Sequence, residues 1–494
     1  MESMAESNKL HVVVFPWLAF GHIIPFLELA KLIAQKGHVV SFISTPRNII
    51  RLPKLPPNLA PLLNLVKLPL PRIDEIPENA EATMDVPYNK VQYLKKAFDG
   101  LQTELTRFLQ TSTPDWIIYD FAPHWLPAIA GELGISRAFF SIFNAWSGSF
   151  FGSSITMIHG EDYRTKPEDF TIPPEWVPFP SNVAFRLYEI RRFFNSVEEN
   201  ISGVSDWFRF GSAVIGCDVF LIRSCREIES DWLDLMQELH QKPILPVGLL
   251  PSSVQYREDD IDDTWHTISK WLNKQDKESV IYVALGSEVT PSQVELTELA
   301  LGLELSGLPF FWALRKRHGL AEFHSFELPD GFEERTNDRG VVWTSWAPQL
   351  RILAHDSVGG FVTHCGWSSV IEGLQFGRPL LMLPFLGDQG LIARVFAEKK
   401  AGIEIPRDEE DGSLRRDSVA ESLRQVIVED EGKVYRKKAK EMKAVFGDKD
   451  LHKRYIDKFA EYLQNDRHGS RVLIAKTDLP SAKRKNLVLL MHAS

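Results

Sequence analysis

Cysteine is scarce in this sequence of 494 residues, which contains only Cys217, Cys225 and Cys365. Their number is odd, and no two of them have the Cys-x-x-Cys spacing. Structural disulfides and a zinc site are therefore not expected, and a reducing cytosol is the natural setting for such a chain.

The sequence also lacks a basic excess and a long apolar run. Lys and Arg number 56 against 66 Asp and Glu, giving a net charge of −10, which argues against broad binding to nucleic acid. Two glutamates stand where a signal peptide carries basic residues. No uninterrupted apolar segment reaches the roughly 18 residues of a spanning helix. We expect a cytoplasmic protein without a membrane span or a nucleic-acid partner.

Several phosphate-binding and catalytic motifs are absent. There is no GxxxxGK[ST] loop, no GxGxxG after a strand and no GxSxG nucleophile motif, which removes the ATPase, NAD-dependent and hydrolase readings. Two Asp-x-Asp triplets, Asp260 to Asp262 and Asp448 to Asp450, have the spacing to hold Mg²⁺ beside a nucleotide sugar. Both lie in charge-rich segments that are more typical of a solvated face, so no metal site is predicted.

The residues that are present indicate an ordinary globular protein, 44% hydrophobic and 25% charged. Apolar runs such as HVVVFP (11–16) and VIYVALGS (280–287) alternate with helical patterns over 23–37 and 290–307. Continuous apolar strands between helices are typical of parallel sheets covered on both faces. The sequence therefore predicts an α/β protein with two Rossmann-like, doubly wound parallel-sheet domains facing across a cleft.

The domain boundaries follow from composition. We place the first domain at 1–245 and the second at 264–450, joined by a linker at 246–263 that is rich in Pro and Ser and ends in an acidic run. An amphipathic helix over 451–466 is expected to pack back on the first domain. No role is predicted for the tail, 467–494.

The segment THCGWSSVIEG (363–373) carries the first functional signal. It follows an apolar strand, and Ser368 or Ser369 is expected to begin a helix whose free N–H groups and positive dipole end suit a diphosphate. Ser369-Val-Ile-Glu372 also fits a capping box, which needs no ligand. The residues alone leave both interpretations open, because Glu372 can either cap the helix or bind ribose hydroxyls.

The longer segment from Trp346 to Gln389 resembles the signature of plant family 1 UDP-sugar-dependent glycosyltransferases, which have the GT-B fold. Its landmarks WAPQ, HCGW, Ser-x-x-Glu and DQ occur at the spacing of that family. The phrases PWLAFGHIIP, STPRNIIRLP, PDWIIYDF and ALGSEV extend the resemblance over nearly the whole chain. They are most similar to the subgroup that extends sugar chains on flavonoid and terpenoid glycosides.

The resemblance implies that the matching residues bind a UDP-sugar co-substrate without a cofactor or a metal. Trp346 would stack on the uracil, Gln349 would lie close to the uridine, and Glu372 would bind the ribose hydroxyls. Other matching positions would contact the diphosphate (His364, Ser369 and Ser287) or the sugar (Trp367, Asp388 and Gln389).

One position departs from the family pattern. Ser368 stands where the family usually has Asn. The shorter side chain loses one contact to the phosphates or the sugar, which bears on donor affinity and donor identity.

His22 and Asp120 are predicted to form the catalytic pair. His22 directly precedes a helical run, and Asp120 ends the strand DWIIYD, so both would lie at the carboxyl edge of one sheet. Taken alone, a histidine at a helix start is more often structural. In the resembled family these two positions form the catalytic dyad, in which His22 would deprotonate the acceptor hydroxyl and Asp120 would support the imidazolium.

The acceptor pocket is expected in the first half of the chain. An aromatic wall would suit a flat polyphenol or a terpenoid, although each of these residues fits an ordinary core equally well. The candidate wall residues are Trp17, Phe20, Phe121, Phe143 and Trp146.

The resemblance implies inverting transfer of a sugar, with glucose as the expected donor. A monomer is expected, although the sequence does not reveal the oligomeric state. Gln389 favours glucose over galactose in the family, but it does not decide against UDP-rhamnose. A catalytically silent small-molecule-binding protein and a nucleotide-sugar epimerase are alternatives of other kinds, and the presence of both His22 and Asp120 disfavours the silent protein.

Overall fold

The computed structural model describes most of the chain. Four predicted features lie outside the described residues: Ser287, the Asp260 triplet, the greater part of the linker, and the tail from 467 onwards. The described ranges are 9–160, 162–192, 194, 200–252, 263–286, 288–289, 291–314 and 327–465.

The first half contains a parallel sheet, in which the described residues form seven strands in the order β3-β2-β1-β4-β5-β6-β7. Alternate residues of its central strand enter different cores: Val12 and Val14 pack on one face, and Val13 and Phe15 on the other. A sheet buried on both faces explains why its strands read as continuous apolar runs. The strands are β1 His11–Phe15, β2 Val39–Ser44, β3 Leu63–Lys67, β4 Trp116–Tyr119, β5 Ser136–Ser141, β6 Val219–Ile222 and β7 Ile244–Pro246.

Helices connect these strands and cover both faces of the sheet. The first begins directly after the loop that follows β1 and runs for 16 residues. In chain order the helices of this half are α1 Phe20–Gln35, α2 Pro46–Arg51, α3 Val91–Asp99, α4 Gln102–Ser112, α5 Leu126–Glu132, α6 Ala145–Phe151, α7 Ser154–His159, α8 Leu187–Arg191, α9 Asp206–Ile215 and α10 Arg226–His240.

The second half forms a separate parallel sheet, whose described residues give six strands in the order β10-β9-β8-β11-β12-β13. The prediction of two Rossmann-like parallel sheets is thereby confirmed. Its strands are β8 Val280–Ala284, β9 Phe310–Ala313, β10 Gly340–Trp343, β11 Val358–Thr363, β12 Leu380–Met382 and β13 Gly402–Glu404. Its helices, with the C-terminal helix, are α11 Asp263–Leu272, α12 Gln293–Ser306, α13 Phe332–Thr336, α14 Gln349–Ala354, α15 Trp367–Gln375, α16 Gln389–Glu398, α17 Arg416–Ile427, α18 Lys433–Phe446 and α19 Lys449–Asn465.

A single apolar core joins the two halves. Trp146 of α6 packs edge-on against Trp367 of α15, with ring centroids 5.4 Å apart, and it also contacts Phe396 of α16. Two charge pairs cross the same interface, Arg394 with Glu189 at 2.5 Å and Arg186 with Glu404 at 2.9 Å. The two domains are therefore held together by buried apolar contacts, by the buried Arg394–Glu189 pair and by the partly exposed Arg186–Glu404 pair.

The C-terminal helix α19 returns to the first sheet. Ile456, Phe459 and Leu463 are buried in the core that also contains Trp116. The indole of Trp116 donates a hydrogen bond to the carbonyl oxygen of Leu463 over 3.1 Å. Within the described ranges, no helix combines the length and the apolar character needed to cross a bilayer.

Replacement of Phe459 by alanine tests whether α19 stabilises the first domain. Because Phe459 has no exposed surface, Phe459→Ala is expected to lower the free energy of unfolding of that domain by about 3–5 kcal/mol, measured by urea denaturation followed by tryptophan fluorescence. Lys458→Ala, at the adjacent exposed position, should change it by less than about 0.5 kcal/mol. Equal stability of both variants would show that α19 contributes nothing to this core.

Candidate active site

The carboxyl edge of the first sheet brings His22 and Asp120 together. Strands β1 and β4 are neighbouring and parallel, with Phe15 paired to Tyr119, so the residues that follow them emerge at the same edge. Asp120 directly follows β4, and His22 lies in the first turn of α1. His22 Nδ1 is 2.6 Å from Asp120 Oδ2.

Asp120 is fixed by its surroundings. Its Oδ2 also accepts a hydrogen bond from the Trp17 backbone N–H over 3.1 Å, and its Oδ1 accepts one from the Phe121 N–H over 2.7 Å. The carboxylate is buried, and the His22 side chain keeps 12% of its surface exposed. With Nδ1 bonded to Asp120, Nε2 is the ring atom available to take a proton from a ligand.

The pKa of His22 is raised above its ordinary value. Burial by itself would lower this pKa, but the charge and hydrogen bond of Asp120 outweigh it, and Glu288 and Asp388 raise it further. Glu288 and Asp388 belong to the second half of the chain, so the histidine faces the other domain. The hydroxyl of Thr83 also donates to Glu288 Oε1 over 2.8 Å, which is a further contact between the halves.

Two of the predicted aromatic wall residues flank His22. The ring centroids of Phe121 and Phe143 lie 5.7 Å and 5.9 Å from the imidazole, and both side chains are half-buried. Trp17 is 3% exposed and packs edge-on against Phe121. These residues form an apolar surface beside the histidine.

The other two predicted wall residues lie elsewhere. Phe20 is partly buried against the core on the opposite face of the first sheet. Trp146 has no exposed surface, because it fills the core between the domains. The prediction that Trp146 lines a pocket is therefore wrong: a side chain without accessible surface cannot contact a ligand.

In the second sheet, the turn from β11 into α15 forms an open helix N-terminus. Helix α15 begins at Trp367, one residue earlier than the sequence suggested, after the N-cap Gly366, and no side chain caps it. Cys365 adopts a left-handed φ of 68°, and this sharp turn ends the strand. The capping-box interpretation is wrong because Ser369 lies inside the helix, where its hydroxyl cannot act as the N-cap.

His364 lies in a narrow space between two glycines at this turn. A Cβ added at Gly286 or Gly366 would come within 2.7 Å and 2.4 Å of the imidazole, so both positions require glycine. Burial lowers the pKa of His364 to about 4, which makes the ring neutral at physiological pH. Within the described residues, its Nδ1 has no hydrogen-bond partner.

Glu372 is paired with Gln349 and not with the helix start. Gln349 Nε2 donates to Glu372 Oε2 over 2.6 Å, and the hydroxyl of Tyr282 donates to Gln349 Oε1 over 3.1 Å. Burial raises the pKa of Glu372, an effect opposed by Gln349 and Arg223.

Trp346, the predicted stacking residue, is 62% exposed. Tyr282 was missed in the sequence, although a tyrosine inside an aliphatic strand is a usable signal.

Asp388 and Gln389 begin α16 and face the first domain. Gln389 Oε1 accepts hydrogen bonds from the Phe385 and Leu386 N–H groups, each over 2.9 Å, so the amide NH₂ is the group it can offer a ligand. Burial raises the pKa of Asp388 to about 6, a rise moderated by Ser147, His22 and Asn144.

Two polar side chains of the first domain, Ser147 and Asn144, lie beside Asp388 and lower its pKa. Both are buried, with 1% and 0% of their surface exposed. They hold the carboxylate in place from the other side of the domain interface. Asn144 and Ser147 were missed in the sequence because they belong to no motif there.

The start of α15 also contacts the first domain through Arg223. Arg223 Nη1 donates to Ser368 Oγ over 2.6 Å, and Trp367 Nε1 donates to the Arg223 carbonyl over 2.9 Å. Because the Trp367 side chain is buried, the part of this residue that can bind a ligand is its backbone N–H at the helix start. Arg223 was also missed, although it is the one charge in the apolar run VFLIRSC.

Of the two Asp-x-Asp triplets, the one from Asp448 to Asp450 lies in the described residues, and it has a structural role. Asp448 Oδ1 accepts hydrogen bonds from the Asp450 and Leu451 N–H groups, each over 2.9 Å, at the start of α19. No group of three or more metal-ligating side chains occurs among the residues that the structure describes. All three cysteines are buried free thiols.

Comparison with known proteins identifies the family. A family model described as UDP-glucoronosyl and UDP-glucosyl transferase matches residues 204–457. UDP-glycosyltransferase 91D2 from Stevia rebaudiana is 54% identical over 467 residues, covering 94% of this chain and 97% of the relative. Soyasaponin III rhamnosyltransferase from Glycine max is 46% identical over 481 residues, covering 94% and 99%.

The fold has close counterparts among solved structures. The crystal structure of Os79 from O. sativa in complex with U2F and trichothecene has a TM-score of 0.74 and 21% identity, covering 92% of this chain and 100% of that one. The two parallel sheets thus form a GT-B fold, as predicted. The chain belongs to the plant family 1 UDP-glycosyltransferases and is a glycosyltransferase enzyme.

The raised pKa of His22 predicts the pH dependence of the reaction. If the neutral imidazole is the base, kcat/KM should fall as pH drops through a value above the ordinary 6.5 of histidine. Asp120→Asn removes the charge that raises this pKa and leaves the burial that lowers it. The acidic limb of the pH–rate profile should therefore move to lower pH, with a lower plateau. An unshifted limb would mean that another group limits the rate.

Proposed function

We propose that this protein transfers a sugar, with glucose as the preferred one, from a UDP-sugar to a hydroxyl of a plant small molecule, with inversion and without a metal. The acceptor is a flavonoid, a terpenoid or a glycoside of one. The observation that carries this proposal is the His22–Asp120 pair, 2.6 Å apart, which faces Asp388 and Glu288 of the other domain.

His22 acts as the general base in this mechanism. Its Nε2 takes the acceptor proton as the hydroxyl oxygen attacks the anomeric carbon, and the bond from that carbon to the UDP oxygen breaks. Asp120 stabilises the imidazolium that forms, because it bonds Nδ1 and carries the opposite charge. Displacement from an α-linked donor gives a β-glycoside.

The donor occupies the second domain. The uracil stacks on exposed Trp346, and Glu372, held by Gln349, accepts hydrogen bonds from the ribose hydroxyls. The N-terminus of α15, the Ser369 hydroxyl and His364 receive the diphosphate. A neutral His364 fits this role as a hydrogen-bond donor, since its buried Nδ1 has no partner among the residues that the structure describes. Ser287, in the loop after β8, remains a predicted contact.

The polar groups at the start of α16 support glucose as the donor sugar. The Gln389 amide NH₂ can donate to a sugar hydroxyl, because its Oε1 is already bonded to the Phe385 and Leu386 N–H groups, and the Asp388 carboxylate can accept from one. Glucose has a hydroxyl at C6, whereas rhamnose has a methyl group there.

UDP-rhamnose is the second candidate donor. The observation in its favour is the 46% identity to a protein named as a rhamnosyltransferase.

The apolar surface of Phe121 and Phe143 beside His22 suits either a polyphenol or a terpenoid skeleton.

The three buried free thiols fit a reducing compartment, and we infer that the enzyme is cytoplasmic.

A product assay separates these possibilities. Purified protein is given UDP-glucose and UDP-rhamnose in competition, with flavonoid and terpenoid aglycones and their glucosides, in the presence of EDTA. Mass spectrometry is expected to show a hexose increment on an acceptor. A deoxyhexose increment would make UDP-rhamnose the donor. Absence of any product, with UDP still bound, would favour a silent binding protein.

Replacement of His22 tests the base directly. His22→Ala should lower kcat by at least ~10²-fold while UDP binding, measured by calorimetry, stays within about twofold, because His22 lies outside the donor site. His159→Ala, an exposed histidine at the end of α7, is the control and should keep full activity. Turnover near normal in His22→Ala would remove His22 from the mechanism.

A further inference from the structure

Arg223 reaches from the first domain to the start of the proposed diphosphate site. It lies just after β6, and its Nη1 donates to Ser368 Oγ over 2.6 Å. Its Nε donates to the carbonyl oxygen of Leu249 over 2.8 Å, and its own carbonyl accepts from the Trp367 indole. The side chain is therefore fixed by the start of α15 and by the Leu249 carbonyl, and the backbone of the same residue is bonded to α15 as well.

The charge of Arg223 has no contacting carboxylate. Arg223 is 3% exposed. Its guanidinium bonds a hydroxyl and backbone carbonyls, and within the described residues no carboxylate oxygen lies within ion-pair distance of it. Burial lowers its pKa to about 10, so it is still protonated at neutral pH. Buried charges are normally paired, as Arg209 is with Asp99 and Arg394 is with Glu189.

The carboxylates of Glu372 and Glu28 act on Arg223 only from beyond ion-pair distance, and the location of Arg223 is unusual for a buried cation. Arg223 lies at the N-terminus of α15, the positive end of the helix dipole, where a cation is unfavourable and an anion is stabilised. Among the described residues, Arg378 is also buried without a contacting carboxylate, but its bonds go to the Leu353 and His355 carbonyls at the end of α14. A helix C-terminus is favourable for a cation, so Arg378 needs no further partner.

Ser368 gains a defined orientation from Arg223. A serine hydroxyl has a single proton, and its oxygen here accepts from a cation, so that proton is directed away from Arg223. The Asn that is usual in the family would bring two amide protons of its own. Ser368 has a shorter side chain than that Asn, and the guanidinium of Arg223 lies against it and supplies the N–H donors that Ser368 lacks.

We propose that Arg223 and Ser368 together complete the diphosphate site across the domain interface, with Arg223 as a positioning residue that orients the Ser368 hydroxyl and provides the counter-charge for the leaving UDP. This inference rests on the proposed function, which places the diphosphate at the start of α15. It implies that the second domain alone has an incomplete donor site.

Comparison of UDP with uridine tests this role, because uridine has the base and the ribose but no phosphates. Dissociation constants of both are measured by calorimetry on the full-length wild type and on Arg223→Gln. We expect Arg223→Gln to weaken UDP binding by about tenfold, the usual effect of one charged hydrogen bond, and to leave uridine binding within about twofold. Arg226→Gln, which removes an exposed charge three residues later, should change neither.

A charge-conserving variant guards against loss of folding. Arg223→Lys should keep the preference for UDP over uridine within about threefold of the wild type, even if its melting temperature falls. A second prediction concerns coupling: Arg223→Gln with Ser368→Ala should weaken UDP binding no more than the stronger single substitution, because both act on one contact.

Three outcomes would overturn the inference or its basis. Equal weakening of UDP and uridine in Arg223→Gln would show a purely structural role. An unchanged preference for UDP in Arg223→Gln would show that the guanidinium does not act on the phosphates. A wild-type protein that binds UDP no better than uridine would contradict the proposed diphosphate site itself, which is a failure of the proposed function.

Discussion

The contact between Trp146 and Trp367 is the constraint on which the rest of the site depends. The loops of each parallel sheet lie at its carboxyl edge, and neither edge alone contains both the proposed base and the helix N-terminus proposed to bind phosphate. The packed indoles, 5.4 Å apart, set the two edges against each other. His22 of one domain is thereby brought within electrostatic reach of Asp388 of the other.

Much of the fold could be predicted because buried parallel strands have a clear pattern. HVVVFP and VIYVALGS read as strands, and the register that pairs Phe15 with Tyr119 follows from neighbouring parallel strands. His22 and Asp120 could be placed at one edge for the same reason. The start of α15 could not be predicted, because it depends on a left-handed Cys365, a conformation that the residue type does not suggest.

The remaining site residues depend on contacts between distant segments. Arg223 meets Ser368 across 145 positions of sequence, and Asn144 and Ser147 approach Asp388 only because the two domains are packed together. No local spacing encodes such neighbours. Trp146 was misjudged for the same reason: an aromatic residue in an apolar run has the same appearance in a pocket wall and in an interdomain core.

The return of α19 to the first sheet means that the chain crosses between the domains twice, once after β7 and once between α18 and α19. Two connections restrain the relative position of the domains more than a single linker would, because rotation about one connection is opposed by the other. The fold therefore limits how His22 and the start of α15 can move apart through the covalent path of the chain as well as through the packed core between them.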